Sequence, residues 1–159
     1  MVKSGEGYPI GLAKKKAEWL AYYAQFFDTV EINSTYYHPP GERQVHSWIK
    51  KMKNKDGGFE YSVKMPGLVT HQALVEGDEE KALFWASTFD KTCLSPLADA
   101  DLMGGVLFQL SPYFKNEGQA LSRMAMVLDS LAQKEYDLAV EFRQRSWLDE
   151  SGNYLDPRR

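Results

Sequence analysis

The chain has 159 residues, enough for one domain with a substantial core, and its net charge of -3 provides no general basic field for nucleic acid or anionic membranes. No apolar run approaches the roughly 20 residues that cross a bilayer, and the region after Met1 does not resemble a signal peptide. The single cysteine, Cys93, rules out an internal disulfide. We therefore expect one domain over residues 1–159, in a reducing cytoplasm and without a membrane segment.

The first half of the chain alternates between helix and strand patterns. Apolar residues at helical spacing predict a helix over residues 14–27, and a strand over residues 29–35 follows almost without a linker. A second helix is predicted over residues 42–53 and a second strand over residues 59–65. The segment PGLVTHQALVEG, residues 66–77, is predicted to be a long loop.

The second half repeats this alternation. The capping residue Asp78 predicts the start of one helix, and the serine–proline pair at 95 and 96 predicts the start of a short second helix. The apolar run at residues 106–110 is typical of a parallel strand covered on both faces. A helix over residues 117–133 and a strand over residues 137–143 complete the pattern.

Four strands that alternate with helices are the signature of βα units and a parallel sheet. Right-handed crossovers then bring the C-terminal ends of the strands to one rim. A complete eight-stranded α/β barrel takes about 250 residues. We therefore predict an α/β chain built from parallel βα units of a TIM-barrel-like fold, with about four strands that form half a barrel or a small open sheet.

Polar side chains alternate with apolar ones along each predicted strand. If the apolar faces pack against helices, the polar faces gather at the end of the sheet where parallel α/β folds bind ligands. The set comprises Glu31, Asn33, Lys64, Gln109, Glu141 and Arg143. Carboxylates can transfer protons, while a guanidinium fork and an ammonium group can hold an anion. The four charges also sum to zero, so a buried ion-pair network without a catalytic task stays open as an alternative.

Loop residues after the strands surround this polar set. His71 follows the second strand and is a candidate general acid or base. Tyr36 and Trp147 offer aromatic faces that suit a sugar ring or a base, and they suit the lid of a barrel mouth equally well.

Metal and cofactor use is left open by the sequence. It contains neither a zinc-ligand spacing nor a His-Glu-x-x-His motif, and it has no Walker loop or dinucleotide fingerprint. Glu31, Glu141 and His71 would hold Mg²⁺ or Mn²⁺ only if the fold brought them together.

Four segments at the strand ends resemble the YecE-like family of TIM-barrel-like domains, domain of unknown function 72. They are VEINSTYY (30–37), FEYSVKMPGLVTH (59–71), GVLFQLSPYF (105–114) and AVEFRQRSW (139–147), in the order of the family. The resemblance extends from about Tyr8 to Glu150. It implies a barrel mouth that carries the polar set together with Tyr36, Thr70, His71, Pro112, Phe114 and Trp147. It implies no reaction, because the family has none securely assigned.

Two departures accompany the resemblance. Members of the family open with a strand that carries a glycine- and tryptophan-containing motif, and they continue for about half a barrel beyond the Ser-Trp pair. The comparison therefore predicts that strand one and the last three strands are absent, as in a truncated or proteolysed product. Exposed parallel edges would then be covered by another chain, so we expect self-association.

The leading functional hypothesis is a TIM-barrel enzyme that acts on a small anionic or polyhydroxylated substrate. The catalytic candidates are Glu31, Glu141 and His71, and the substrate-binding candidates are Asn33, Tyr36, Lys64, Gln109, Arg143 and Trp147. Two alternatives stay open. One is a ligand-binding module without catalysis, and the other is an enzyme that processes phosphodiesters or nucleic acid, which the acidic pI disfavours.

Overall fold

The computed structural model describes residues 16–132, 136–148 and 151. Its four strands form one parallel sheet in the spatial order β1-β2-β3-β4. The strands are β1 (Thr29–Ile32), β2 (Glu60–Lys64), β3 (Met103–Gln109) and β4 (Asp137–Glu141). Parallel neighbours that follow one another in sequence, each joined through helices, are the building units of a TIM barrel. The predicted fold class is confirmed.

Seven α-helical segments lie in the described ranges. They are α1 (Lys16–Tyr23), α2 (Ser34–Tyr37), α3 (Glu42–Met52), α4 (Leu74–Glu76), α5 (Glu79–Phe89), α6 (Ser95–Asp99) and α7 (Ala120–Leu131). Residues 14, 15 and 133, which the predicted helices include, lie outside the described residues, as do both ends of the segment that resembles the family. Within those same ranges, none of the helices has the length and apolar character to cross a bilayer.

The segment predicted as a loop over residues 66–77 is helical instead. A π-helical turn, Leu68–Ala73, leads directly into α4. Val69, Thr70, Ala73 and Leu74 are buried there, and their spacing is that of one helical face. The loop prediction was wrong because this apolar face packs against the rest of the helical layer. Gly77, with a left-handed φ of 77°, ends the segment.

The structure corrects a second helix boundary. Asp78 does cap α5, since its carboxylate accepts a hydrogen bond from the backbone N–H of Lys81 at 2.9 Å. The α-helix predicted to start at Ser95 does begin there, with Pro96 in its first turn. Ser95 is not a cap, however, because its backbone is helical and α5 continues through a π-helical turn, Asp90–Leu94, directly into α6. The backbone N–H of Ser95 bonds to the carbonyl of Asp90, and its hydroxyl donates to the Asp90 carboxylate at 3.0 Å.

The sheet is covered on one face. Tyr61, Val63, Val106 and Phe108 point to that face and are at most 1% exposed. They belong to a core completed by apolar residues of α3, α5 and α7. The alternate positions of β3 stay partly accessible, including Leu107, so the prediction that this strand is covered on both faces was wrong. Among the residues that the structure describes, the polar face of the sheet is therefore open.

Candidate functional site

Strand register places four of the predicted polar residues on the open face. Glu31 is paired with Ser62, and its neighbours along β1 are paired with the buried Tyr61 and Val63. Lys64 is paired with Leu107, and Gln109 with Glu141. Because side chains alternate along a strand, all of these polar groups lie opposite the core.

Gln109 connects charges from the strands on either side of it. Its carbonyl oxygen accepts a hydrogen bond from Lys64 Nζ at 2.6 Å. Its Nε2 amide group lies 2.9 and 2.8 Å from the two carboxylate oxygens of Glu141. The amide is oriented by these contacts, since only its oxygen can accept from a lysine and only its nitrogen can donate to a carboxylate.

Arg143 joins the same group from the segment after β4. Its NH1 donates to the Gln109 carbonyl oxygen at 3.3 Å, and its Nε lies 3.5 Å from Glu141 Oε1. We call Lys64, Gln109, Glu141 and Arg143 the Gln109 network. It combines two cations with one carboxylate, so it carries a net positive charge. The Arg143 side chain is 47% exposed, so its donors are accessible to a ligand.

Tyr36 lies beside the network because α2 is fixed to the end of β2. The buried Thr35 hydroxyl lies 2.8 Å from the Ile32 carbonyl and 2.7 Å from the Lys64 carbonyl. This contact places Lys64 Nζ 4.8 Å from the centre of the Tyr36 ring, within the range of a cation–π interaction. Gly67 makes room for the ring, because a Cβ there would lie 3.0 Å from Tyr36 carbons.

His71 faces the same cluster from the π-helical turn after β2. Its ring meets Tyr36 edge to face, with centroids 4.9 Å apart, and its Nδ1 lies 3.0 Å from the Thr70 hydroxyl. Burial lowers the pKa of His71, and the positive charges of Lys64 and Arg143 lower it further. The neutral imidazole is therefore favoured more than in an exposed histidine, which suits a proton acceptor.

Trp147 has a different environment from the one expected of a stacking surface. Its ring is 4% exposed, stacks on Phe114 and is tilted against Phe142. The indole N–H donates to the Phe114 carbonyl at 2.8 Å. The structure thus places Trp147 under the rim, where it fixes the loops after β3 and β4 to each other.

Glu31 and Asn33 are not joined to the Gln109 network. β1 and β4 are the outer strands of the described sheet, and the register aligns Glu31 with Ser62, Gly105 and Asp137. Glu141 therefore lies about 14 Å from Glu31 across the sheet and about 13 Å further along the strand direction. Asn33 is exposed at the start of α2, where its side chain makes no capping hydrogen bond. Among the residues that the structure describes, no three His, Cys, Asp or Glu side chains are grouped to hold a metal ion. Glu31, Glu141 and His71 are therefore not brought together as a ligand set.

Two residues that the sequence reading did not select help to build the site. Thr35 and Gly67 are not part of the Gln109 network, but they determine where the Tyr36 ring lies. The sequence contains one signal for this contact. Gly67 follows a strand and a proline, and glycine often marks the close approach of two segments.

The sequence of the chain matches one protein family over almost its whole length. The model of the family described as "Protein of unknown function DUF72" matches residues 2–156. The chain belongs to the DUF72 family. The resemblance to the YecE-like family, domain of unknown function 72, is confirmed by this match.

Relatives of this DUF72 chain include proteins of about twice its length. UPF0759 protein YunF of Bacillus subtilis is 27% identical over 142 residues, which are 88% of this chain and 47% of YunF. The crystal structure of a DUF72 family protein from Thermotoga maritima is 31% identical with a TM-score of 0.72, and the match covers 93% of this chain and 54% of that one. A DUF72 family protein from Enterococcus faecalis, 21% identical with a TM-score of 0.65, shares the fold over 84% of this chain and 46% of its own. The chain thus spans about half the length of the relatives it matches.

Proposed function

We propose that this DUF72 chain carries the anion-binding part of an enzyme active site that takes a small anionic or polyhydroxylated substrate. The Gln109 network is the observation that supports the proposal. Two cations share the Gln109 carbonyl oxygen, and one carboxylate faces them. The resulting positive charge lies at the C-terminal ends of parallel strands, where α/β barrels bind their substrates.

Lys64 and Arg143 would hold the anionic group. Arg143 offers a planar fork suited to phosphate or carboxylate, and Lys64 adds a point charge whose position is fixed by Gln109 and the Tyr36 ring. Asn33 and Glu31, which are exposed on the β1 side, would offer polar groups to the hydroxyls of a substrate.

His71 and Glu141 would move protons. The lowered pKa of His71 keeps its imidazole ready to accept a proton. Glu141 can accept a second proton or orient a hydroxyl, although both of its oxygens are within hydrogen-bond distance of Gln109. Glu31 would act from the other side of a substrate, on the same face of the sheet.

Binding experiments with matched variants test the proposal. Phosphate, citrate, a sugar phosphate and an uncharged sugar would be titrated calorimetrically into the chain. We expect Lys64→Met and Arg143→Met each to weaken binding of the best anion by about tenfold or more, equivalent to about 1.4 kcal/mol. The controls are Lys50→Met and Arg43→Met, since both residues are exposed on α3. Equal affinities in the wild type and both site variants would refute the proposal.

A non-catalytic binding module is the second candidate, and the position of Glu141 favours it. The carboxylate faces Gln109 and Arg143 rather than standing apart as a free base. The two candidates differ in what happens to a bound compound. Incubation of each ligand with wild type and with His71→Asn, followed by mass spectrometry, should show a product only with wild type if the site is catalytic. Unchanged ligand in both samples, despite tight binding, would favour the binding module.

A further inference from the structure

A cavity of about 340 Å³ lies between α4 and the first turn of α7, apart from the Gln109 network. Its apolar lining residues include Leu74, Tyr113 and Phe114, and its charged ones are Lys115, Glu117 and Arg123. None of its lining residues belongs to the Gln109 network. We call it the Arg123 cavity.

Arg123 is the unusual residue of this cavity. Its Nε atom is buried and meets no hydrogen-bond acceptor in the described part of the chain. Gly77 lies against its guanidinium group, since a Cβ at Gly77 would be 3.6 Å from Arg123 Cζ. A buried donor without an acceptor lowers stability, so an arginine placed in this way needs an explanation other than packing.

The charges around the cavity do not neutralise Arg123. Lys115 and Glu117 form a loose ion pair at 3.7 Å, and both side chains are more than half exposed. Helix α7, which begins at the cavity, has no acidic residue in its first turn and no side-chain cap at Gln119. The positive end of the helix dipole adds to the charge of Arg123 instead of opposing it. One guanidinium charge is therefore left over in a cavity of mixed polarity.

We propose that the Arg123 cavity binds a small molecule that carries a phosphate group. Arg123 would pair with the phosphate through its fork, and Lys115 would add a second charge if it leaves Glu117. A phosphate suits this surplus of donors better than a carboxylate, because it has three acceptor oxygens and up to two negative charges. Tyr113, which is 81% exposed, offers an aromatic face to the organic part of the ligand, while Leu74 and Phe114 lie buried beneath the cavity floor. This site is independent of the function proposed for the Gln109 network.

Calorimetric titration of the 159-residue chain tests the proposal, with inorganic phosphate and phenyl phosphate as probes. Lys64→Met serves as the background, because it weakens the other anion site. On that background we expect phenyl phosphate to bind more tightly than inorganic phosphate, and Arg123→Met to weaken both by about tenfold or more. Arg43→Met, at an exposed position on α3, should leave both isotherms unchanged. Lys115→Met provides a second variant at the site and should weaken binding by a smaller factor.

Stability measurements separate a binding residue from a structural one. Arg123→Met removes a donor that has no acceptor, so the unfolding midpoint should stay the same or rise. Isotherms that do not change in Arg123→Met would overturn the proposal, and so would a marked fall in its midpoint, which would show that Arg123 holds the fold together. A wild-type chain that binds neither probe at the cavity would overturn it as well.

Discussion

The two ends of the Gln109 amide group contact side chains of opposite charge. Its oxygen faces Lys64 and Arg143, and its nitrogen faces Glu141. The exposed ion pair between Arg143 and Glu141 would contribute little by itself. The neutral amide instead connects Lys64 to Glu141 through hydrogen bonds and accepts a further one from Arg143, so three charged side chains are ordered around one uncharged group.

We expect Gln109→Leu to disrupt this order. The leucine has a similar size but offers no acceptor to Lys64 and no donor to Glu141. Because the site is only partly buried, the loss in the free energy of unfolding should be about 1–2 kcal/mol, within the range for unpaired polar groups. Urea denaturation measures it. Gln44→Leu, at an exposed position on α3, should change stability by less than about 0.5 kcal/mol. Equal effects of the two substitutions would contradict the structural role of Gln109.

His71 should make stability depend on pH. The unfolded chain has the ordinary histidine pKa of about 6.5, whereas burial and the charges of Lys64 and Arg143 lower the pKa in the fold. Between the two values the unfolded state binds more protons, so this contribution to stability is complete above about pH 6.5 and is lost as the pH falls toward the folded pKa. As the pH falls below about 6.5, wild type should therefore lose unfolding free energy relative to His71→Asn, which has no group titrating at this position.

A proton NMR titration of His71 checks the cause of this dependence. Lys64→Met should raise the pKa of His71 without returning it to the ordinary value, because burial is the largest cause of the shift. A pKa of about 6.5 or higher in wild type would contradict the described environment.

At this scale the sequence predicted some contacts and missed others. Alternation along parallel strands was sufficient to place Lys64, Gln109 and Glu141 on one face. It could not predict that Trp147 lies buried under the rim, because a loop residue has no periodic face. The contact between Gly67 and Tyr36 was equally out of reach, since it depends on how α2 lies across the end of β2.

At the level of secondary structure, the helical segments that follow the strands position the side chains of the site. Strands and long helices were predictable because their apolar residues recur with a fixed period. The π-helical turns were not, because each shifts the period within a helix. The first, Leu68–Ala73, places His71 toward Tyr36, and the second, Asp90–Leu94, lets one helix continue past Ser95 and Pro96.

Gly67→Ala tests how closely α2 and the first π-helical turn are packed. Gly67 has helical backbone angles, so alanine alone would stabilise the chain by about 0.4–1 kcal/mol. Its Cβ would, however, lie 3.0 Å from the Tyr36 ring, and overpacking costs about 1–3 kcal/mol. We expect a net loss of about 1 kcal/mol, measured by urea denaturation, together with altered NMR signals of the Tyr36 and His71 rings.

Gly41→Ala is the matched control for this substitution. A Cβ at Gly41 would meet nothing within 4 Å, and the backbone there has a negative φ of -78°. Its replacement should change stability by less than about 0.5 kcal/mol and leave the ring signals in place. Ring signals unaffected by Gly67→Ala would show that Tyr36 is not held where the structure has it.

For the molecule as a whole, the sheet has a covered face and an open one. The order of the strands and their parallel direction followed from the alternation of strand and helix. The open face could not be predicted from the sequence, because an apolar strand such as β3 indicates burial but does not identify the element that covers it. The relatives, which are about twice as long, have additional chain that could supply such a cover.

We predict that the 159-residue chain self-associates in solution. Among the described strands, β1 and β4 are edges of the sheet, and unpaired parallel edges favour pairing with another chain. Phe26 and Phe27, just before β1, are 64% and 54% exposed and add apolar surface beside one of these edges. Sedimentation equilibrium should show an average mass that rises with concentration.

Phe26→Glu should reduce this rise, because it places a charge next to β1. Phe84→Glu should not, since Phe84 is 62% exposed on α5, away from the strand edges. A monomer at every concentration, or equal effects of the two substitutions, would show that the β1 edge does not mediate association.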